Sequence, residues 1–267
     1  MKNIHETAIV SKLAKIDETV KIGPYCIIGD DVVLKKNVNL IANVIIDGKT
    51  TIDENTVVFP FTTIGLVPQD LKYNNEKTGV YIGKNNKIRE SVTIHIATGD
   101  ENSVTYIGNN NLIMVGSHVA HDCVIGDFNI LSNHVLLAGH VKLGDYVVIG
   151  GGSAIHQYAR IGDFAFIGGM SGVPRDIVPC AMYTGARDSG FIEGVNITGL
   201  RRKGFENNHI QELKEVYSII FDANSLFLDN IKNFKDKFSN SENPLVNKIN
   251  SFIDTVTAKN IYVKYKG

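Results

Sequence analysis

The aliphatic residues of this chain recur at every sixth position over two long stretches. One runs over residues 10–64 and the other over residues 107–173. Three isoleucines keep the period between them: Ile82, Ile88 and Ile94. An α-helix repeats every 3.6 residues and a strand every two, so neither explains this spacing. A hexapeptide repeat is typical of a parallel β-helix, in which each repeat forms one face of a triangular coil.

Two further positions of the repeat carry small or branched residues. The fourth residue after the aliphatic is often β-branched or small, which predicts a pleated face or tight corner: Cys26, Val32, Val38, Val44, Thr50, Thr56 and Thr62. Glycine often follows the aliphatic directly, and we expect it to supply the unusual dihedral angles of a sharp corner: Gly23, Gly29, Gly65, Gly83, Gly108, Gly126, Gly144, Gly150, Gly162 and Gly168.

Two polar segments interrupt the repeat, at residues 66–81 and 96–106. The phase slips by one across the second, because Ile94 and Ile107 are 13 residues apart. Both segments are predicted to be loops pushed out of the coil, where functional residues are common.

Beyond residue 173 the period changes to about 3.6, which predicts helices. The apolar positions of three helices are Ile210, Leu213, Val216, Tyr217 and Ile220, then Leu226, Leu228, Ile231 and Phe234, then Leu245, Ile249, Phe252, Ile253 and Val256. Asn243-Pro244 is a typical start for the last helix. The predicted fold is therefore all-β plus α: a left-handed parallel β-helix over residues 1–189, then a small helical domain over 190–267, the handedness resting on the family resemblance below.

Composition narrows the functional classes. The net charge is −1, which does not favour binding to nucleic acid. The three cysteines are scattered, which indicates reduced thiols. We find no signal-peptide core and no apolar stretch of membrane-spanning length, so we expect a cytoplasmic protein without integral membrane association.

The histidines indicate the chemistry, since five of the eight lie between residues 118 and 156. A coil of three repeats places His121, Gly139 and Gln157 above one another, with His140 in the adjacent column beside Asp122. An imidazole near a carboxylate can take a proton from an attacking hydroxyl or amine. A backbone N–H at Gly139 can stabilise an oxyanion. This pattern is suited to acyl transfer.

Other interpretations of the histidines stay open. A single histidine on a β-surface is usually solvated or structural, and we assign His5 and His134 to that class. Trimeric β-helices also bind zinc between subunits through histidines. Here the spacings are His-x2-His and His-x5-His, not the His-x4-His usual for such sites, so we predict no metal site.

Six motifs resemble one family: HVAHDC at 118–123, AGHV at 138–141, IHQ at 155–157, PQDLKY at 68–73, IRESVTIH at 88–95 and GVNITGLRRKGF at 194–205. They are similar to those of the UDP-N-acetylglucosamine acyltransferases. The resemblance implies a left-handed β-helix, a homotrimer and no cofactor. It implies transfer of a 3-hydroxyacyl chain from acyl carrier protein to the 3-hydroxyl of UDP-N-acetylglucosamine, the first step of lipid A biosynthesis.

The resemblance also implies roles for individual residues. His121 aligns with the general base, paired with Asp122, and Gly139 with the oxyanion donor. Residues implied around the substrates are Asp70, Lys72, His95, His118, His140, His156, Gln157, Asn196, Arg201, Arg202 and Lys203. Gly169 aligns with the position that limits acyl-chain length, although it also reads as one more corner glycine. The basic run 201–203 reads equally as a solvated helix start.

Three departures from the family pattern concern substrate detail. Thr198 replaces a common Glu, Lys203 replaces a common Arg, and residues 186–193 form a longer segment. Two rival functions remain. One is N-acyl transfer, either to a 3-amino analogue of the sugar nucleotide or by the later glucosamine N-acyltransferase, whose usual N-terminal domain has no counterpart before Val10. The other is a non-catalytic β-helix scaffold.

Overall fold

The computed structural model describes residues 3–255 and 260–266, and its long N-terminal part is a coil of very short strands. In chain order the strands are β1 (Ile9–Val10), β2 (Lys15–Ile16), β3 (Lys21–Ile22), β4 (Ile27–Ile28), β5 (Val33–Leu34), β6 (Asn39–Leu40), β7 (Ile45–Ile46), β8 (Lys49–Ile52), β9 (Val57–Val58), β10 (Thr63–Leu66), β11 (Gly79–Ile82), β12 (Lys87–Ile88), β13 (Thr93–His95), β14 (Val104–Ile107), β15 (Leu112–Ile113), β16 (His118–Val119), β17 (Val124–Ile125), β18 (Ile130–Leu131), β19 (Leu136–Leu137), β20 (Lys142–Leu143), β21 (Val148–Ile149), β22 (Ala154–Ile155), β23 (Arg160–Ile161), β24 (Phe166–Ile167), β25 (Gly172–Val173), β26 (Ala181–Thr184) and β27 (Phe191–Val195).

Successive strands turn through three sheets, so every third strand belongs to the same sheet over most of the chain. Sheet I runs from β1 to β25 with nine strands, sheet II from β2 to β23 with eight, and sheet III from β3 to β27 with ten. Pairing between coils is parallel, with His118 opposite Leu136 and Leu136 opposite Ala154, a rise of 18 residues each time. The predicted left-handed parallel β-helix is confirmed. We call the turns after sheets I, II and III the first, second and third corners.

The core is the stack of inward aliphatic side chains. The second residue of nearly every two-residue strand is buried, and Ile46, Ile64 and Ile94 are 0% exposed. The position four residues later is also inward, and all seven of the residues predicted there, from Cys26 to Thr62, are 0% exposed. Replacing one such isoleucine by alanine costs about 2–5 kcal/mol, because a close-packed column cannot collapse around the cavity. Cys26, Cys123 and Cys180 are buried free thiols, in agreement with the cysteine prediction.

The predicted role of the glycines was wrong for nine of the ten. Of that set only Gly65 has a positive φ, at +82°. The others leave room for the next coil: an added Cβ on Gly126 would lie 2.7 Å from the carbonyl oxygen of Gly144. The left-handed backbone falls two residues later and is mostly non-glycine, as at Asp122 (φ +59°) and His140 (φ +61°).

The two predicted loops are shorter than expected. The first spans 67–78 and the second 96–103, because their last residues form strands. Gly79 pairs with Lys49 and with Val104, so β8, β11 and β14 are extended strands lying side by side in sheet II. Both loops leave the coil at the first corner, where β10 and β13 of sheet I end.

The helices are α1 (Ile197–Arg202), α2 (Asn207–Ile220), α3 (Phe227–Phe238) and α4 (Pro244–Asp254). No helix among the described residues is long and apolar enough to cross a membrane. Residues 191–195, which were predicted to open the helical part, form β27 and pair antiparallel with β26. We therefore retain a division near residue 190 only as a proposal, with the first helix beginning at Ile197.

The predicted apolar faces hold for α2 and for the described part of α4. All five predicted residues of α2 are buried, and the side chain of Asn243 caps α4 by accepting from the N–H of Leu245. Val256, predicted for the last helix, lies outside the described residues. In α3 the prediction was wrong for Leu226 and Leu228, which are 75% and 67% exposed. The buried stripe of α3 runs instead through Asn230, Phe234 and Phe238, because the helix begins one residue after Leu226.

Candidate active site

His121 lies at the first corner, with its ring almost fully buried at 7% residue exposure. Its Nδ1 is 2.8 Å from Oδ2 of Asp122, the next residue along the chain. Neighbouring side chains in a strand point to opposite faces. The left-handed backbone of Asp122 breaks that alternation, so the two side chains meet. The ring is thereby oriented through Nδ1, which leaves Nε2 as the free basic nitrogen.

Asp122 is held from several directions. Its Oδ2 accepts from the backbone N–H of Thr98 at 3.0 Å and from the hydroxyl of Thr98 at 2.6 Å. Its own N–H donates to Oγ1 of Thr105 at 2.9 Å. The sequence analysis did not single out either threonine, and only their place in or beside an interrupting segment pointed to them.

Gly139 sits directly against the His121 ring, as the 18-residue coil predicted. A Cβ on Gly139 would overlap the ring and lie 2.5 Å from Nε2. Among the backbone hydrogen bonds of the described residues, the N–H of Gly139 has no acceptor. The same position of the repeat holds Pro24 and Pro60, which have no N–H. The coil therefore does not need this donor, and it is available beside Nε2.

The first loop supplies a second carboxylate to the same imidazole. Oδ2 of Asp70 is 3.8 Å from Nε2 of His121, while its Oδ1 accepts from the N–H of Lys72 at 2.9 Å. Lys72 is exposed on the same loop. The structure thus brings the loop residues to the reactive side of His121.

Three more predicted histidines surround His121. The rings of His95 and His118 pack edge to face at 5.0 Å, and the rings of His121 and His140 do so at 5.2 Å. His140 also stacks on Tyr158 at 4.5 Å. Oγ1 of Thr93 lies 2.7 Å from Nδ1 of His118.

Burial keeps two of these imidazoles neutral. It lowers the pKa of His118 to about 4, with smaller contributions from the positive forms of His95 and His121. Burial and then His121 also lower the pKa of His95. His95 Nδ1 is a buried atom without a hydrogen-bond partner. Neutral rings with unused polar atoms suit hydrogen bonding to an uncharged polyol better than binding a charged group.

A His118→Gln variant should lose less stability in acid than the unchanged chain. The folded pKa of about 4 is below the ordinary 6.5. The unfolded state therefore binds more protons between these values, so stability is full at neutral pH and falls as the pH drops through 6.5 towards 4. Urea unfolding at pH 7.5 and pH 5, at one protein concentration, should show a difference on the order of 1–2 kcal/mol between the two chains. Identical pH dependence would contradict the buried, neutral state of His118.

Other predicted residues lie elsewhere in the chain. His156 is exposed, with Nδ1 3.1 Å from the carbonyl of Gln157, which lies in the His121 column 36 residues further on. Gly169 is exposed at the third corner. Asn196 caps α1, accepting from Gly199 N–H at 3.0 Å and donating to the Phe164 carbonyl at 2.9 Å.

The basic run occupies the second corner. Arg201 and Arg202 form the last turn of α1, and Lys203 follows as its C-cap. Nζ of Lys203 lies 4.4 Å from the ring centroid of Tyr146, a residue of the second corner. One chain therefore does not bring these cations to His121, and they end a helix where a helix start was one interpretation.

Within the described residues, the groups closest to a metal-ligand set are His121, Asp122 and His140, with one ligand atom each inside 4.8 Å. The Asp122 oxygen already accepts hydrogen bonds from Thr98, and His140 Nε2 is 3.6 Å from it. The arrangement thus accounts for these groups as a hydrogen-bonded cluster.

Comparisons with known proteins identify similar chains. A family model described as UDP N-acetylglucosamine O-acyltransferase, domain 2, matches residues 176–261, and the bacterial transferase hexapeptide model matches residues 105–139. A protein of Thermodesulfovibrio yellowstonii named acyl-[acyl-carrier-protein]–UDP-N-acetylglucosamine O-acyltransferase is 54% identical over 221 residues, covering 83% of this chain and 85% of its own.

Two further matches cover nearly the whole chain. A Rickettsia bellii protein of the same name is 46% identical over 252 residues, which is 94% of this chain and 88% of its own. The solved structure of LpxA from Acinetobacter baumannii is 41% identical with a TM-score of 0.87, covering 93% of this chain and 96% of its own.

Proposed function

The chain belongs to the acyl-[acyl-carrier-protein]–UDP-N-acetylglucosamine O-acyltransferase family, and from that premise we propose how its residues perform the transfer. The reaction moves a 3-hydroxyacyl chain from acyl carrier protein to the 3-hydroxyl of UDP-N-acetylglucosamine, the first step of lipid A biosynthesis. One observation supports the proposal most directly. An imidazole oriented by a carboxylate lies against a glycine whose N–H the fold leaves unused.

His121 is the general base. With Nδ1 bonded to Asp122, Nε2 takes the proton from the sugar 3-hydroxyl as the oxygen attacks the thioester carbonyl. Asp122 keeps the productive tautomer and stabilises the imidazolium that forms. Such assistance contributes about 10²–10⁴ in rate.

Gly139 stabilises the oxyanion. The attack forms a C–O bond, and the carbonyl oxygen becomes negative while the N–H of Gly139 donates to it. Collapse of the intermediate then breaks the C–S bond, and His121 returns its proton to the departing thiolate. The product is an ester of the sugar and a free thiol on the carrier protein, with no covalent enzyme intermediate.

The surrounding polar residues bind the sugar nucleotide. Asp70 and Lys72 reach over His121 from the first loop, and His95, His118 and His140 line the floor of the same corner. Their neutral rings fit sugar hydroxyls. His156 and Gln157 continue the first corner towards the nucleotide and the acyl donor.

The phosphates are bound by a second copy of the chain in a homotrimer. Arg201, Arg202 and Lys203, with Asn196 beside them, lie at the second corner, away from His121 of the same chain. Packing the second corner of one copy against the first corner of its neighbour would place cations beside the sugar site. A guanidinium grips phosphate through two parallel hydrogen bonds, whereas the Lys203 ammonium is a point charge.

Mixed trimers test this arrangement. His121→Ala and Arg202→Ala should each be weakly active alone. Co-expression of the two should restore about a quarter of wild-type activity, since random assortment leaves that share of sites with both groups intact. Sedimentation should give a trimer of the 29.3 kDa chain in every case. Absence of restored activity in verified mixed trimers would place both groups in one chain.

Gly169 sets the acyl length. A Cβ added there would meet nothing nearer than the Gly151 carbonyl oxygen at 3.4 Å, so a side chain can project from this corner without distorting the coil. Gly169→Met should therefore lower kcat/KM for the longest accepted acyl carrier protein by about 10–200-fold and spare shorter donors. Equal losses across a donor series from C10 to C16 would contradict this role.

The mechanism requires no resident metal or organic cofactor, because the base, its orienting carboxylate and the oxyanion donor are all protein groups. Acyl carrier protein brings the pantetheine arm as a substrate. We place the reaction in the cytoplasm, where both substrates are available to it.

The decisive assay incubates the protein with UDP-N-acetylglucosamine and 3-hydroxyacyl carrier proteins of several lengths, with and without EDTA. We expect an acylated sugar nucleotide containing an ester cleaved by hydroxylamine, one thiol released per product, and equal rates with the chelator. Acylation only of a 3-amino sugar analogue, giving a stable amide, would instead support the N-acyltransferase function. Thiol release without an acylated sugar would contradict both, and binding without turnover would support the scaffold.

A further inference from the structure

We propose that Thr98 is a positioning residue, which holds the Asp122 carboxylate on His121 and away from His140. The inference rests on the proposed function, in which His121 is the base, but its contacts are independent of any substrate. Neither the family motifs nor the repeat assigns this residue a role.

Asp122 has two imidazoles within reach of the same oxygen. Its Oδ2 is 2.8 Å from Nδ1 of His121 and 3.6 Å from Nε2 of His140. The two rings are perpendicular, so one carboxylate cannot align with both nitrogens at once. A small rotation of Asp122 would move the carboxylate from one partner to the other, and His121 would then lose the bond that fixes its tautomer.

Thr98 provides two of the donors that set this rotation. Its N–H and its hydroxyl both donate to Asp122 Oδ2, at 3.0 and 2.6 Å. Hydrogen bonds to a charged oxygen are about twice as strong as neutral ones. The hydroxyl oxygen also lies 3.5 Å from His121 Nδ1, so Thr98 stands on the His121 side of the carboxylate.

The second loop holds Thr98 firmly although it leaves the coil. Ala97 just before it is 0% exposed, and its N–H donates to the Gly79 carbonyl at 3.2 Å. The Ala97 carbonyl accepts from the hydroxyl of Thr98's counterpart in the first loop, Thr78. Both interrupting loops are therefore tied together one residue before the contact with Asp122.

Two substitutions separate the hydroxyl from the shape of the side chain. Thr98→Val keeps the volume and the backbone N–H but removes the hydroxyl, and Thr98→Ser keeps the hydroxyl. We expect Thr98→Val to lower kcat on the order of 10–100-fold with KM for UDP-N-acetylglucosamine little changed, because a wrong His121 tautomer affects the chemical step more than binding. Thr98→Ser should recover most of the rate. Thr51→Val, a half-buried threonine of sheet II, is the matched control.

Nitrogen-15 NMR of histidine-labelled protein tests the positioning without turnover. The His121 signals are assigned by their loss in His121→Ala. In the unchanged chain and in Thr98→Ser we expect the Nδ1–H tautomer of His121 to dominate. In Thr98→Val we expect a mixture of tautomers, with changed His140 signals.

The outcomes separate this inference from the proposed function. Unchanged tautomers in Thr98→Val overturn the positioning role whatever the enzyme assay gives. Equal kcat for the valine variant and the unchanged chain also overturns it. If the unchanged chain transfers no acyl group, the proposed function fails, while a tautomer shift in Thr98→Val still supports the positioning contact.

Discussion

A His121→Ala variant is expected to turn over at least about 10³-fold more slowly than the unchanged protein and to remain folded. Removing the imidazole leaves the sugar hydroxyl without a base, and water cannot reproduce its placement beside the Gly139 N–H. Substrate binding should change less than kcat, because the remaining histidines and the first loop are untouched. Steady-state kinetics with acyl carrier protein thioester and UDP-N-acetylglucosamine measure both quantities.

The fold should survive this change. His121 lies at a corner, outside the aliphatic columns of the core, and its partner Asp122 keeps its bonds to Thr98. Far-UV circular dichroism and sedimentation should therefore match the unchanged chain. His5→Ala is the control, since His5 is exposed near the opposite end of the coil. Near-normal kcat in a folded His121→Ala protein would remove His121 from the mechanism.

A Gly139→Ala variant is expected to lose about 10²–10³-fold in kcat by a different cause. The added methyl group would overlap the His121 ring and come within 2.5 Å of Nε2. The Gly139 backbone is not left-handed, so the methyl group itself causes the effect. The ring has to move off its bond to Asp122, and the oxyanion donor is screened by the displaced side chain.

Gly169→Ala is the matched control for this variant, because its methyl group meets only an ordinary contact at 3.4 Å. It should keep its rate with short acyl donors and an unchanged His121 NMR spectrum. A crystal structure of Gly139→Ala with the His121–Asp122 distance still near 2.8 Å, together with normal kcat, would contradict the proposed geometry.

The repeat made much of the site predictable. Each coil adds 18 residues, so residues 121 and 139 are neighbours by arithmetic, and Asp122 with His140 follows in the next column. The same regularity predicted the buried columns without any knowledge of long-range contacts, because each coil packs only on the coils next to it. The resemblance in motifs added the identity of the substrates, which periodicity does not carry.

The repeat was misleading about the glycines. A glycine after each aliphatic residue looks like the turn itself. The structure places the left-handed residue two positions later, and it shows that the missing Cβ makes room for the next coil. Sequence spacing identifies a small residue but does not distinguish the dihedral angle from the close approach.

The sequence by itself determined the coil, its register and the pairing of His121 with Gly139, because a fixed period converts sequence distance into spatial distance. Only the tertiary structure decided where the non-periodic parts lie. Asp70 and Thr98 reach the His121 cluster through loops whose paths depend on contacts such as Thr78 with Ala97. The basic run ends at the second corner because α1 packs there, and no periodic rule specifies the docking of a helix on a coil.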